Sequence, residues 1–117
     1  MTDQELLELA AKAAGLTKLS YCPAWKCMAE FDIDKQGGYF KWDTCWNPLK
    51  DDSDALQLAV NLQLGISIPP VVDGRIEVVT FYGPIVSIVE HPQNNDRNAA
   101  TRRAIVRAAA EIGKAMP

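Results

Sequence analysis

The chain is poor in the residues that most often do chemistry. It has one histidine and three cysteines among 117 residues. A structural zinc site draws on four Cys or His ligands, usually as two close pairs. Here four residues separate Cys22 from Cys27, and Cys45 and His91 follow singly. That spacing argues against a Cys3His centre, and no metal or other cofactor is expected. A Cys–His nucleophile pair would have to use His91, which precedes Pro92 and reads as a strand-end residue at a turn. There is no P-loop, no dinucleotide glycine pattern, no G-x-S-x-G and no H-E-x-x-H. Catalysis is left open, with a non-catalytic role favoured. Long apolar runs are missing as well. None approaches the roughly 18 residues that cross a bilayer. Met1 to Glu5 is polar and acidic, without the basic start of a secretory signal, so a cytoplasmic location is expected. In that reducing compartment an odd number of cysteines reads as free thiols packed as small hydrophobes. Strong charge is the last absence. The net charge of −3 gives no long-range pull toward nucleic acid or anionic membrane.

What is present is an ordinary globular composition. With 48% hydrophobic and 23% charged residues, the length fits one domain, 1–117, that buries a core without staples. Thr2 and Glu5 form a capping-box pattern ahead of a helix to about Ala14. Leu6, Leu9, Ala10 and Ala13 share one face, and Gly15 supplies the stop. Residues 16–25 read as irregular, with Pro23 as a breaker. From Cys27 the period becomes two. Cys27, Ala29, Phe31 and Ile33 alternate with Met28, Glu30, Asp32 and Asp34, which predicts a strand with the first set buried. Gly37-Gly38 turns the chain into a partner strand, Tyr39 to Thr44. A loop at Asn47-Pro48 and the acids Asp51, Asp52 and Asp54 lead into a second helix to about Leu64. Its inner stripe is Ala55, Leu58, Ala59 and Leu62, with Leu56 and Val60 on the flank.

Three β-rich runs follow. Ile66 to Val72 is interrupted by Pro69-Pro70 and suits a sheet edge. Asp73-Gly74 is a hairpin turn. Arg75 to Tyr82 and Ile85 to Glu90 carry apolar groups on both faces, which predicts cover on both sides. Asp96 or Asn98 caps a last helix with buried Ala100, Ala104, Ala108 and Ile112. The pattern is α-β-β-α-β-β-β-α. It predicts an α+β fold, a single antiparallel sheet layered with three helices as an α/β sandwich.

Three constellations stand out. Tyr21, Trp25, Phe31, Tyr39, Phe40, Trp42 and Trp46 crowd into 26 residues. Three tryptophans in one short stretch are hard to bury together, and tryptophan and tyrosine are enriched at interface hot spots. The alternative is a satellite core under the second helix. Trp25, Trp42 and Trp46 are therefore candidate anchors for a protein partner, with Asp51, Asp52 and Asp54 at the rim. Those carboxylates also suit a helix N-terminus, and they lack the spacing of a calcium loop. The third constellation is basic: Arg102, Arg103 and Arg107 on the last helix form a stripe that suits phosphates, or else a solvated outer face.

Two stretches carry a resemblance. One is Trp46-Asn47-Pro48-Leu49 with Asp51-Asp52-Ser53-Asp54-Ala55-Leu56 and Leu58-Ala59-Val60. The other runs from Thr101-Arg102-Arg103-Ala104 through Ile105-Val106-Arg107 to Ala108-Ala109-Ala110-Glu111-Ile112. Together they resemble the small phage and prophage proteins of the phage "ABA sandwich" domain family, over nearly the whole chain. Ser53 stands where a glycine is expected. The resemblance implies a layered α/β sandwich and a bacteriophage or prophage origin. It carries over no catalytic residues. The leading expectation is a non-catalytic accessory protein that binds a host bacterial protein, to modulate it or to counter a defence. The alternative is a small-molecule or nucleotide binder that sequesters a phosphate-bearing ligand. The oligomeric state stays open.

Overall fold

The computed structural model describes residues 1–70, 74–81 and 83–117. Helix α1 (Asp3–Ala13) starts as its capping box dictates: Thr2 Oγ1 accepts from the Glu5 N–H at 3.2 Å, and Glu5 accepts from the Thr2 N–H. Strands β1 (Leu19–Cys22), β2 (Cys27–Asp34) and β3 (Gly37–Phe40) follow, then a 3-10 turn at Trp42–Thr44. Helix α2 (Asp52–Asn61) is capped by Asp51, whose carboxylate accepts from the Asp54 N–H. Next come β4 (Gly65–Ser67), β5 (Ile76–Val79) and β6 (Ser87–Glu90), and helix α3 (Arg97–Ala115) capped by Asp96.

The fold is α+β, as expected, but the described residues form two sheets instead of one. Strands β1-β2-β3 form one antiparallel sheet and β4-β5-β6 the other. The element order also gains a strand, β1, which the sequence hides. It has four residues, only Cys22 of them buried, so no alternation is legible ahead of Pro23. The two sheets stay apart because helices lie between them: β1 and β2 pack on α1, α1 on α3, and α3 on β5 and β6. Helix α1 therefore buries two faces. Leu6 and Ala10 join the main core with Ala104, Ile105, Ala108 and Ile76. Leu7 and Ala11 join Met28 in a second, smaller core. The α1–α3 contact is close enough that a Cβ at Gly113 would collide with the Leu9 carbonyl.

Two expectations about faces change as well. Helix α1 covers the Met28 side of β2, not the side bearing Cys27, Ala29, Phe31 and Ile33. In the second sheet Ile76, Val78 and Ile88 are buried with the α3 residues, whereas Phe81 and Ile85, beyond the ends of β5 and β6, are 63% and 87% exposed. One helix layer, not two, covers that sheet among the described residues. The expected turn at Asp73-Gly74 and the strand ends at Val72 and Tyr82 involve residues outside the described ones. No helix among the described residues is long and apolar enough to cross a membrane.

Candidate aromatic docking surface

The site is built by a fault in the β2–β3 ladder. Phe31 pairs with Phe40 and Asp34 with Gly37. Beyond Phe40 the register slips: Met28 pairs with Trp46, three residues later than an unbroken ladder would give. The extra residues are the 3-10 turn Trp42-Asp43-Thr44. Thr44 mends the gap. Its Oγ1 accepts from the Glu30 N–H at 2.8 Å and donates to the Lys41 carbonyl at 2.6 Å. A bulge of this kind re-aims a side chain, and here it leaves Trp42 66% exposed.

Trp42 meets other aromatics edge to face. Trp25, from the β1–β2 turn, has its ring centre 4.8 Å from that of Trp42 at an interplanar angle of 84°. Phe40 lies 6.3 Å from Trp25, and Phe31 lies 5.0 Å from Phe40. Such tilted pairs are favoured by the ring quadrupoles. The Phe31 ring also lies over Gly38, where any Cβ would clash with it. Ile33 continues the same face. The result is an apolar strip along a two-stranded ribbon, with Phe31 and Ile33 exposed and Phe40 half-buried. The opposite face is charged. Lys41 pairs with Glu30 and Asp32 at 3.7 and 3.6 Å, and those carboxylates, Asp32 foremost, hold its ammonium above the usual lysine range.

The other candidates take structural positions. Trp46 is half-buried and packs on both hydrophobic cores, so it joins them where Trp25 and Trp42 face outward. Asp51 caps α2. Asp52 pairs with Arg102 at 2.6 Å. Asp54 accepts from the Asn47 N–H at 2.9 Å. Burial pushes the Asp54 carboxyl above its ordinary range and Asp51 adds to this, while the Asn47 hydrogen bond opposes it. Asn47 in turn donates to the Lys26 carbonyl, which ties the α2 entrance to the turn bearing Trp25.

The arginines do not form one stripe. Arg102 turns toward α2, where it also donates to the Leu49 carbonyl. Arg103 meets Asp3 and Glu90 at 3.2 and 3.5 Å, and Arg107 meets Glu90 at 2.9 Å. Each guanidinium already has a carboxylate, so a phosphate would have to displace one. Among the described residues no three His, Cys, Asp or Glu side chains converge as a metal requires.

The cysteines differ from the expectation of three free thiols. Cys27 and Cys45 form a disulfide, and Cys22 is free and buried. The cause is again the bulge, which returns the chain beside β2 at Met28–Trp46 and brings the two Cα atoms to 6.1 Å. The aromatic cluster includes Phe31 and Phe40 without making them anchors, and the alternation puts Phe31 and Ile33 on a buried face, whereas both are exposed. The available signal was an alternating strand whose apolar set ran on almost to the hairpin turn, farther than a short helix can cover; that turn is at Lys35-Gln36, and Gly37-Gly38 belong to β3. Compared with known proteins, the chain matches no family model, no curated protein and no solved structure.

Proposed function

We propose that this chain is a non-catalytic accessory protein of bacteriophage or prophage origin, acting in the cytoplasm of the host bacterium. Its aromatic ribbon docks a host protein. The origin rests on the resemblance of the Trp46–Val60 and Thr101–Ile112 segments to the phage family. The observation that carries the docking role is the run Trp42–Trp25–Phe40–Phe31, joined edge to face from the two turns beside the β2–β3 ribbon onto the ribbon itself. A lone ribbon gains little stability from such a face in water. Aromatics of this size dominate binding energy when a partner covers them. Trp25 and Trp42 are the anchors, and Phe31, Ile33 and Phe40 extend the contact. The acids at the α2 entrance position the Trp25 turn through Asn47 and need not touch the partner. No observation favours the phosphate-sequestering alternative, since Arg102, Arg103 and Arg107 are each matched by a carboxylate.

The test is photo-crosslinking in bacterial cells, with benzoylphenylalanine placed at position 42 and, as a control, at the exposed position 114. The reading expects one discrete host adduct from position 42, none from 114, and loss of the adduct when Trp25→Ala is added. No adduct from position 42, or the same adducts from both positions, would refute it.

A further inference from the structure

We propose that Cys22, Cys27 and Cys45 form a thiol–disulfide exchange site, in which Cys27 trades its bond to Cys45 for a bond to Cys22. The inference stands apart from the docking role, because it concerns what the three sulfurs do whether or not a partner is present.

The geometry gives Cys27 two neighbours. On one side Cys45 is bonded to it, with Cα atoms 6.1 Å apart. On the other, Cys22 is its direct partner in the β1–β2 ladder. Directly opposed residues of antiparallel strands have Cα atoms roughly 4.5–5.5 Å apart and point to the same face. Disulfides span Cα separations of about 4.4–6.8 Å. Both pairings therefore fall within reach of Cys27 without moving a strand. Cys22 and Cys27 share the face of the first sheet opposite Met28 and α1, and Cys45 is bonded to Cys27 there.

The exchange is balanced within the chain. The Cys22 sulfur, as thiolate, attacks Cys27 Sγ and forms the new S–S bond. The Cys27–Cys45 bond breaks, Cys45 leaves as thiolate, and it takes up the proton that Cys22 lost. No oxidant or reductant is consumed. The products differ in what they expose. Cys22 and Cys27 are 3% and 1% exposed, whereas Cys45 is half-buried next to the Trp42–Thr44 turn. Exchange thus replaces a hidden thiol with an accessible one and unties that turn from β2. In a reducing cytoplasm, disulfides are mostly transient and redox-sensing, and a buried resolving thiol suits that use.

The sequence makes the test direct. Lys26 separates Cys22 from Cys27, and Lys35 and Lys41 separate Cys27 from Cys45, so trypsin places each cysteine on its own peptide. The oxidised full chain is held at pH 8, quenched in acid, alkylated and digested. The expected products are peptide 27–35 linked to 42–50 and, growing with time, 27–35 linked to 19–26. The Cys45→Ser variant in a glutathione redox buffer is expected to lose both remaining thiols to a Cys22–Cys27 bond. Three alkylated thiols in the oxidised wild type would overturn the inference. So would a 27–35/42–50 link alone at every time point. So would Cys45→Ser keeping two alkylatable thiols in a buffer that oxidises Cys22→Ser.

Discussion

The two halves of β2 belong to one strand and follow one alternation, yet they live in different surroundings. Cys27, Met28 and Ala29 are each at most 3% exposed, while Phe31 and Ile33 are 48% and 75% exposed. The inner half has α1 on one face and the returning chain at Cys45–Trp46 alongside it. Among the described residues the outer half pairs only with β3, and its Phe31 ring meets the Phe40 ring. The difference teaches that alternation assigns residues to faces but does not supply the cover. Cover comes from tertiary reach. Helix α1 has 11 residues, about 16 Å at 1.5 Å per residue, and it must serve α3 as well as β2. The molecule is correspondingly elongated, 54 × 33 × 22 Å.

The comparison can be broken at its inner half with the largest effect. Leu7 is 1% exposed and packs with Met28. Leu7→Ala is expected to cost about 2–5 kcal/mol in urea unfolding, the range for emptying a packed leucine site. Next comes the support behind α1. Gly113→Ala gains helix propensity but drives a methyl into the Leu9 carbonyl. The clash should win, with a net loss of about 1–3 kcal/mol by the same measurement. At the outer half Phe31→Ala removes an exposed ring and one edge contact, so the expected cost is about 1 kcal/mol or less. A loss there as large as that of Leu7→Ala would mean the outer half is core.

The smallest effect is electrostatic and sharpens the role of the α2 entrance. Burial raises the Asp54 carboxyl above its ordinary value of 3.8 in the folded state. The protonated form is the one that folding favours. Its contribution is fully present below that ordinary value and is lost as pH rises through the folded-state value. Asp54→Asn keeps an oxygen to accept the Asn47 N–H and has no charge to bury. Relative to wild type, the variant is expected to gain stability as pH rises across that window. Melting curves in a pH series from 3 to 7 check the sign.

Much of the helical frame was legible in the sequence because caps and stops are local. Thr2 with Glu5, Asp51 and Asp96 each sit where their side chains meet the first turn. The two-sheet division was not legible. It depends on which strands pair, and hairpins on either side of α2 carry no local mark of whether they join. The exposed aromatics were half legible. Their crowding suited either a surface or a satellite core, and Trp46 was indistinguishable from Trp42 by residue type. What separates them is the slip in register between Phe40 and Trp46, which turns Trp42 out and Trp46 in. The disulfide escaped for the same reason, since that slip also places Cys45 beside Cys27.

The most direct test of the account joins stability and binding in one sample. The double variant Phe31→Ala/Trp42→Ala would be melted, and the same preparation used to capture the host protein identified by crosslinking. The account predicts a melting temperature within about 5 °C of wild type, as a loss near 1 kcal/mol allows in a domain of this size, together with loss of capture. A large fall in melting temperature, or capture that persists with the fold intact, would contradict it.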